Sequence, residues 1–588
     1  RIPAGPVAVL GRSSAYLGIS NGQLIMLFYG PCFGLLAGLA AGESLRALNV
    51  PVSLLAYLLA VGAMVAGSYR SDKGQTGQFD RWDLLIVCTL LALALFLRLV
   101  NLENLPPTLS GDEGSTGLQA VAFIDGKADN LFSVGWFSFP SLFFAFQSLG
   151  IRLFGQTVAG LRFMSVLAGA LTVVGVYCLA RTIFDRLLAT LAALLLATLH
   201  YHIHFSRLGL NNIWDGLFAV FVLAGIAYGW RYGRRAAFIM AGLLLGLGQY
   251  FYVSFRAMPL LLLLWAALAF AVDRHRFRRL LPDLILLAAV AFVAALPLHS
   301  YFAAHLDEFY APMSRVTVFD GWLDQMSLIE GQSQLSILVQ QIARTAAGIT
   351  HLPLRHWYNP GAPLLLAGSA GLFLLGLLWL LLHPRLLHWL VLLPILVVVI
   401  LGGLSLDAPA SQRYVLAVPL IAIVVAIPLG VAAKWLWLAW PRFRPLVAVA
   451  LVLVLGWLAW RNVHYYFAEV FDDYVLGGRN TETATAIARY LDDRQPPPTV
   501  YFFGLPRMGY RSLSTIPYLV PQVTGQDVAD PLQDEPEWRL STSTVFLFLP
   551  EREKELDFVQ ARYPDGTLRW LRDADGLPLF LTYEVSGP

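Results

Sequence analysis

Stretches of 17 to 22 residues without one charged side chain recur along most of this sequence. Each is long enough to cross about 30 Å of hydrocarbon as a helix. In that solvent every backbone N–H and C=O must find its partner within the segment. The pattern excludes an ordinary soluble fold. Composition agrees: 57% of residues are apolar and 13% charged, where soluble domains run at about a quarter charged. The chain reads as a polytopic α-helical membrane protein.

Thirteen spans are expected, at roughly 23–41, 51–67, 84–100, 161–180, 187–200, 212–229, 236–252, 257–272, 284–299, 362–382, 389–404, 413–433 and 445–460. No cleaved leader is required, because the first spans can direct insertion themselves. Cys32, Cys88 and Cys178 all fall inside apolar runs, with neither metal nor disulfide spacing, and read as small buried hydrophobes.

Basic residues cluster in alternate short loops: Arg70, Lys73 and Arg81; Arg181 and Arg186; Arg231, Arg234 and Arg235; Arg274, Arg276, Arg278 and Arg279; Arg385; Lys434, Arg442 and Arg444. The short loops between them carry one such residue at most. By the positive-inside rule the amino terminus is cytoplasmic, and the long loops 101–160 and 300–361 lie outside, with everything after 461.

The segment 461–588 is a different material, with 12 Lys+Arg against 19 Asp+Glu, where the preceding residues have 29 against 19. TVYFFG (499–504), TVFLFLP (544–550) and LPLFLTYEV (577–585) read as strands, and 481–494 and 551–563 as helices. The expected organisation is two additional helices in 1–83, a transmembrane core in 84–460, and a small extracytoplasmic α/β domain in 461–588. The acidic tail has no GxGxxG, phosphate-binding loop or basic patch, which excludes nucleic acid as a partner.

Chemistry is most legible after the third span. In LPPTLSGDEGSTG (105–117), Pro106 and Pro107 halt the helix, and Gly111 and Gly114 allow a tight turn aiming Asp112 and Glu113 toward the bilayer. Arg98 sits near the span end, where it either snorkels or faces the bundle interior. The aromatic-rich stretch 133–150 suits the membrane interface. Other outward loops place cations at the same face: Arg207, Arg256 and Arg413, with Arg315, Arg355 and the adjacent His356 in the long loop. Singly, such arginines snorkel or anchor; several facing a carboxylate pair make the electrostatics of a phosphate site beside a general base. Tyr250 and Tyr252 flank an outward turn and either stack on a sugar or join an aromatic belt. His200, His202 and His204 lack a carboxylate to complete a metal set, apart from Asp215 one turn into the next span, and read as polar interfacial groups that orient a substrate.

These motifs resemble the GT-C glycosyltransferases, in particular bacterial membrane mannosyltransferase-like proteins related to protein O-mannosyltransferases and aminoarabinose transferases. The resemblance rests on GDEG (111–114), FSRLGLNN (205–212), GLGQYFYVSFRAMPL (246–260), RHWYNPGAPLL (355–365) and SQRYVLAVP (411–419), and covers about residues 84–460. It implies a sugar donor carried on a polyprenyl phosphate, bound from the membrane with its headgroup outside, and a lipid, glycan or protein hydroxyl as acceptor. The anomeric configuration inverts, with Asp112 as base and Glu113 as its helper. Arg256, Arg413 and Arg207 are implied to stabilise the departing phosphate. No cofactor or metal is implied as required, although the carboxylate pair is able to coordinate a divalent ion. One departure stands out: many relatives carry an aspartate about five residues after the arginine of the SR motif, where this chain has Asn211 and Asn212, which hydrogen-bond a sugar but accept no proton at neutral pH. Two other readings stay open: a catalytically degenerate subunit of a larger membrane complex, and a transporter. The second conflicts with the placement of nearly every strong charge at span ends.

Overall fold

The computed structural model describes residues 13–41, 49–69 and 79–587. The chain divides into two compact units. The first comprises Arg1–Val100, Gly126–Phe146 and Phe163–Tyr474; the second comprises Asn101–Asp125, Gln147–Arg162 and Val475–Pro588. Arg70 and Lys73 of the first basic cluster lie outside the described residues.

Among the described residues ten helices are long and apolar enough to cross a membrane, from Asn21–Ala41 to the continuous stretch Pro441–Asp472. Three shorter apolar helices, Arg186–Thr198, Arg235–Gly248 and Ala367–Leu382, fall on the other three expected spans. The protein is a multi-pass helical membrane protein. The Ser141–Phe154 helix occupies much of the aromatic stretch of the first long loop.

Within the first unit, small residues let helices approach closely, since lipid supplies no hydrophobic drive between them. A β-carbon added at Gly242 or Gly246 would run into the carbonyl oxygens of Leu287 and Ala291 on the Arg274–Ala304 helix. The two N-terminal helices pack on this same helix. Ala60 and Met64 join Val290 and Val293 in one cluster, and the Tyr57 hydroxyl donates to the Ala294 carbonyl at 2.9 Å. Many basic residues of the alternate loops are tied down. Arg181 and Arg186 bind the buried Asp83 at 2.9 and 3.0 Å, Arg235 binds Asp283 at 2.5 Å, and Arg276 donates to the Trp230 carbonyl at 3.0 Å. Such pairing satisfies carbonyls at helix C-termini and removes bare charge from the helix ends. Cys32 and Cys88 correct the sequence reading: both are exposed on the helix surface, where a small apolar residue suits lipid as well as it suits a core.

The second unit holds a five-stranded sheet: β1 Thr499–Phe503, β2 Thr524–Asp527, β3 Thr544–Phe548, β4 Thr567–Arg572 and β5 Pro578–Val585. The order is β2-β1-β3-β5-β4. β1 pairs parallel with β2 and β3, and β5 antiparallel with β3 and β4. The Gly478–Asp492 helix covers one face with Ala484, Ile487 and Leu491; Leu556 and Val559 cover the other. β1 and β3 are therefore buried on both sides, which is why they read as unbroken apolar runs. Residues 101–125 and 147–162 of the first long loop belong to this unit, whereas the last long helix runs through 461–472 in the first.

Candidate active site

Asp112 and Glu113 stand at the second and third positions of the Gly111–Ile124 helix in the second unit. The tight turn expected here is absent. Ser110 caps the helix: its hydroxyl accepts from the Glu113 N–H at 3.1 Å, and Glu113 Oε2 accepts from the Ser110 N–H at 3.2 Å. This is the reciprocal S-x-x-E capping box, which outcompetes a turn by satisfying two free N–H groups at once. The glycines serve contact: a β-carbon at Gly114 would meet the backbone of Ser514 and Thr515 within 2.6 Å. Glu113 is fully buried and paired with Arg162, Nε to Oε1 at 2.8 Å and Nη2 to Oε2 at 3.1 Å. Arg162 also donates to the carbonyls of Pro106 at 3.1 Å and Thr108 at 2.8 Å. One guanidinium thus gathers the loop 106–113 around itself.

Asp112 differs from its neighbour. Among the described residues no hydrogen bond or ion pair engages its half-buried carboxylate. Burial first, and the Glu113 charge second, push its carboxyl up to about 6. A carboxylate in that range is ionised near neutrality yet basic enough to take a proton.

In the first unit a second polar cluster forms where the Asn212–Tyr232 helix begins. Asn211 Nδ2 donates to the Phe251 carbonyl at 2.9 Å. The Tyr252 hydroxyl lies at 3.5 Å from Arg413 Nη1 and also engages the Asn212 side chain. Ser254 donates to Asp215 Oδ2. Among the described residues Asp215 Oδ1 and Arg413 Nε are buried without a hydrogen-bond partner, so this cluster keeps an unused acceptor and an unused donor. The Phe139 ring lies 5.9 Å from that of Tyr252.

Residues 138–301 match the model of the family described as dolichyl-phosphate-mannose-protein mannosyltransferase. ArnT from Cupriavidus metallidurans, in a structure bound to undecaprenyl phosphate, superposes with a TM-score of 0.51 at 15% identity, over 86% of this chain and 99% of that one. Its apo form gives 0.50 at 16% identity over the same shares. The fold is the one seen in ArnT. The Archaeoglobus fulgidus oligosaccharyltransferase tethered with an acceptor peptide gives 0.46 at 15% identity, over 83% of this chain and 69% of that one. No curated protein matches the sequence.

Within this fold the remaining expected residues separate. Arg207 is fully buried, donating to the Arg98 carbonyl at 2.9 Å and lying over the Phe467 ring at 5.4 Å. Arg98 faces the bundle interior rather than snorkelling: it binds Ser206 Oγ at 3.1 Å and His202 Nδ1 at 2.7 Å. Tyr250 is a core residue. Its hydroxyl donates to the Ala294 carbonyl at 3.0 Å, and its ring packs against Tyr57 and Phe132, which removes it from both the sugar-stacking and the belt reading. Arg256 donates to the Phe309 carbonyl at 2.6 Å and lies 4.4 Å over that ring. It sits in a largely apolar groove of about 490 Å³ with Gln249, His299, Leu262 and Leu287. Arg355 and His356 line a different cavity, whose wall does not include Arg413. Among the histidines, His200 Nδ1 bonds Tyr358 Oη at 2.8 Å and His204 Nε2 the Trp357 carbonyl at 2.9 Å, so they anchor the segment around 358. Among the described residues no three His, Cys, Asp or Glu side chains converge as a metal set. Sequence reasoning overlooked Arg162 as the partner of Glu113. Asp215 entered through the metal argument, and Ser254 was not considered. The S-x-x-E spacing was the available signal for the cap; nothing local marks Arg162, 49 residues from Glu113.

Proposed function

We propose that this chain transfers a sugar from a polyprenyl-phosphate donor to a hydroxyl acceptor at the external face of a bacterial plasma membrane, with inversion, and that Asp112 is the general base. The observation that carries the reading is the contrast between two adjacent carboxylates. Glu113 is consumed by Arg162 and the helix cap, while Asp112 is unengaged and raised to about 6. Displacement at the anomeric carbon forms the bond from the acceptor oxygen and breaks the bond to the phosphate oxygen. The acceptor proton goes to Asp112, and the electron pair leaves with the polyprenyl phosphate. One displacement assisted by one base inverts the centre.

The leaving phosphate needs cationic stabilisation. Arg413, with its unused Nε, and Arg256, at an apolar groove suited to a prenyl chain, are the candidates in the first unit. Tyr252 and Asn212 are the candidates for sugar hydroxyls. Arg207 is wholly buried and donates to the Leu97 and Arg98 carbonyls instead. The undecaprenyl phosphate bound to ArnT and the mannosyltransferase family match support this donor class. On this reading the amino terminus is cytoplasmic and the sheet-bearing unit extracytoplasmic.

The test is Asp112→Asn in the full chain, assayed for sugar transfer from membrane-extracted polyprenyl-phosphate sugars. We expect a loss of about 10²–10⁴-fold with thermal unfolding intact. Wild-type turnover in this variant removes Asp112 from the role.

A further inference from the structure

Two non-glycine residues of the first unit, His356 (φ 70°) and Asp407 (φ 63°), both adopt the left-handed backbone region. Such residues persist only where the surroundings over-determine them. Here Arg355 N–H donates to the Pro409 carbonyl at 3.1 Å, Ser411 N–H returns to the Arg355 carbonyl at 3.0 Å, and the Tyr474 hydroxyl donates to the Trp357 carbonyl at 3.0 Å. The pinned backbones turn the two side chains toward each other, and His356 Nε2 meets Asp407 Oδ2 at 2.8 Å.

This pair forms part of the wall of a cavity of about 570 Å³ that also receives Arg344, Arg355 and Asn359. The cavity differs in kind from the groove at Arg256, because its charged and amide side chains are exposed to water. Among the described residues neither Arg344 nor Arg355 has a carboxylate partner, while the one acid in the wall, Asp407, faces His356. Two guanidinium forks without counter-ions, beside an amide donor, match the tetrahedral oxygens of a phosphate group better than a single carboxylate. The volume falls in the range of small-molecule sites and exceeds what one phosphate fills.

We propose that this cavity binds a phosphate-type anion, carried by a phosphorylated sugar or by a phospholipid head, and that in the transferase it holds an anionic group of the acceptor. The assignment to the acceptor rests on the transferase reading; the anion site itself does not.

The experiment is calorimetric titration of the full chain in neutral detergent, with inorganic pyrophosphate in one arm and dioctanoyl phosphatidic acid in the other. Wild type and the Arg344→Gln/Arg355→Gln double variant are compared, and Asp112→Asn serves as a second protein. The expected result is binding of at least one probe, weakened about tenfold or more in the double variant and unchanged in Asp112→Asn. Pyrophosphate binding identifies a phosphorylated solute, and binding of the lipid alone identifies a headgroup; either supports the site. Equal affinity in wild type and the double variant, or no binding of either probe to wild type, overturns it. Both arginines are exposed, so an unchanged unfolding temperature separates lost binding from lost folding. Because no turnover is read, failure here leaves the role of Asp112 standing, and failure of that role leaves the anion site standing.

Discussion

Asp112 and Glu113 share a helix turn, yet their environments give them opposite uses. For Asp112 the raised carboxyl, about 6, sets a pH dependence. The base form is lost as pH falls through that value, so transfer under kcat/KM conditions should drop about tenfold per pH unit below it and level off above. A profile flat from pH 5 to pH 8 would contradict this. The same group carries a stability cost. Its folded value lies above its ordinary value of 3.8, so its contribution to stability is fully present below the unfolded value and lost as pH rises through about 6. Asp112→Asn should therefore melt above wild type at pH 8 and close to it at pH 4, because the substitution removes a buried charge. Glu113 behaves oppositely: Arg162→Met strands a buried carboxylate and should destabilise the protein by about 3–5 kcal/mol. Replacing both partners by apolar residues should recover part of that loss, measured by thermal unfolding of the double variant.

At the level of elements, contacts made by glycine and by caps matter more than propensity. Gly246 lies against the backbone at Ala291 and Ala295, where no flexible side chain can move aside. Gly246→Val should cost about 1–3 kcal/mol or more by overpacking, seen as a lower unfolding temperature in detergent. A neutral outcome would mean that the Arg235–Gly248 and Arg274–Ala304 helices are free to separate. Ser110→Ala removes the cap beneath Asp112 and should cost about 1 kcal/mol, while lowering transfer through the position of the base.

For the whole molecule, the expected orientation follows from charge. The basic clusters pair with Asp83 and Asp283 and with helix-end carbonyls, and by the positive-inside rule they are expected on the cytoplasmic side. A cysteine introduced at Glu537, in the acidic sheet-bearing unit, should react with an impermeant maleimide in intact cells, and one at Arg442 only after permeabilisation. The reverse labelling would invert the topology and remove the external-face assignment.

Hydropathy by itself determined the helical membrane class and located the apolar helices, ten of them long enough to cross a membrane among the described residues, because backbone satisfaction in lipid is a constraint local to each segment. The strands β1, β3 and β5 were equally legible, as buried apolar runs, whereas β2 (TGQD) and β4 (TLRWLR) were not, their exposure leaving no such run. The motifs brought Asp112, Arg413, Tyr252 and Asn212 forward as candidates. What only the tertiary structure decided was which of two adjacent acids is free, since that depends on Arg162, 49 residues away. Tertiary packing likewise made Tyr250 a core residue, buried Arg207, and gathered Arg344, Arg355, His356 and Asp407 around one cavity. A side chain's charge and type are written in the chain, but its availability is set by partners that folding brings from elsewhere.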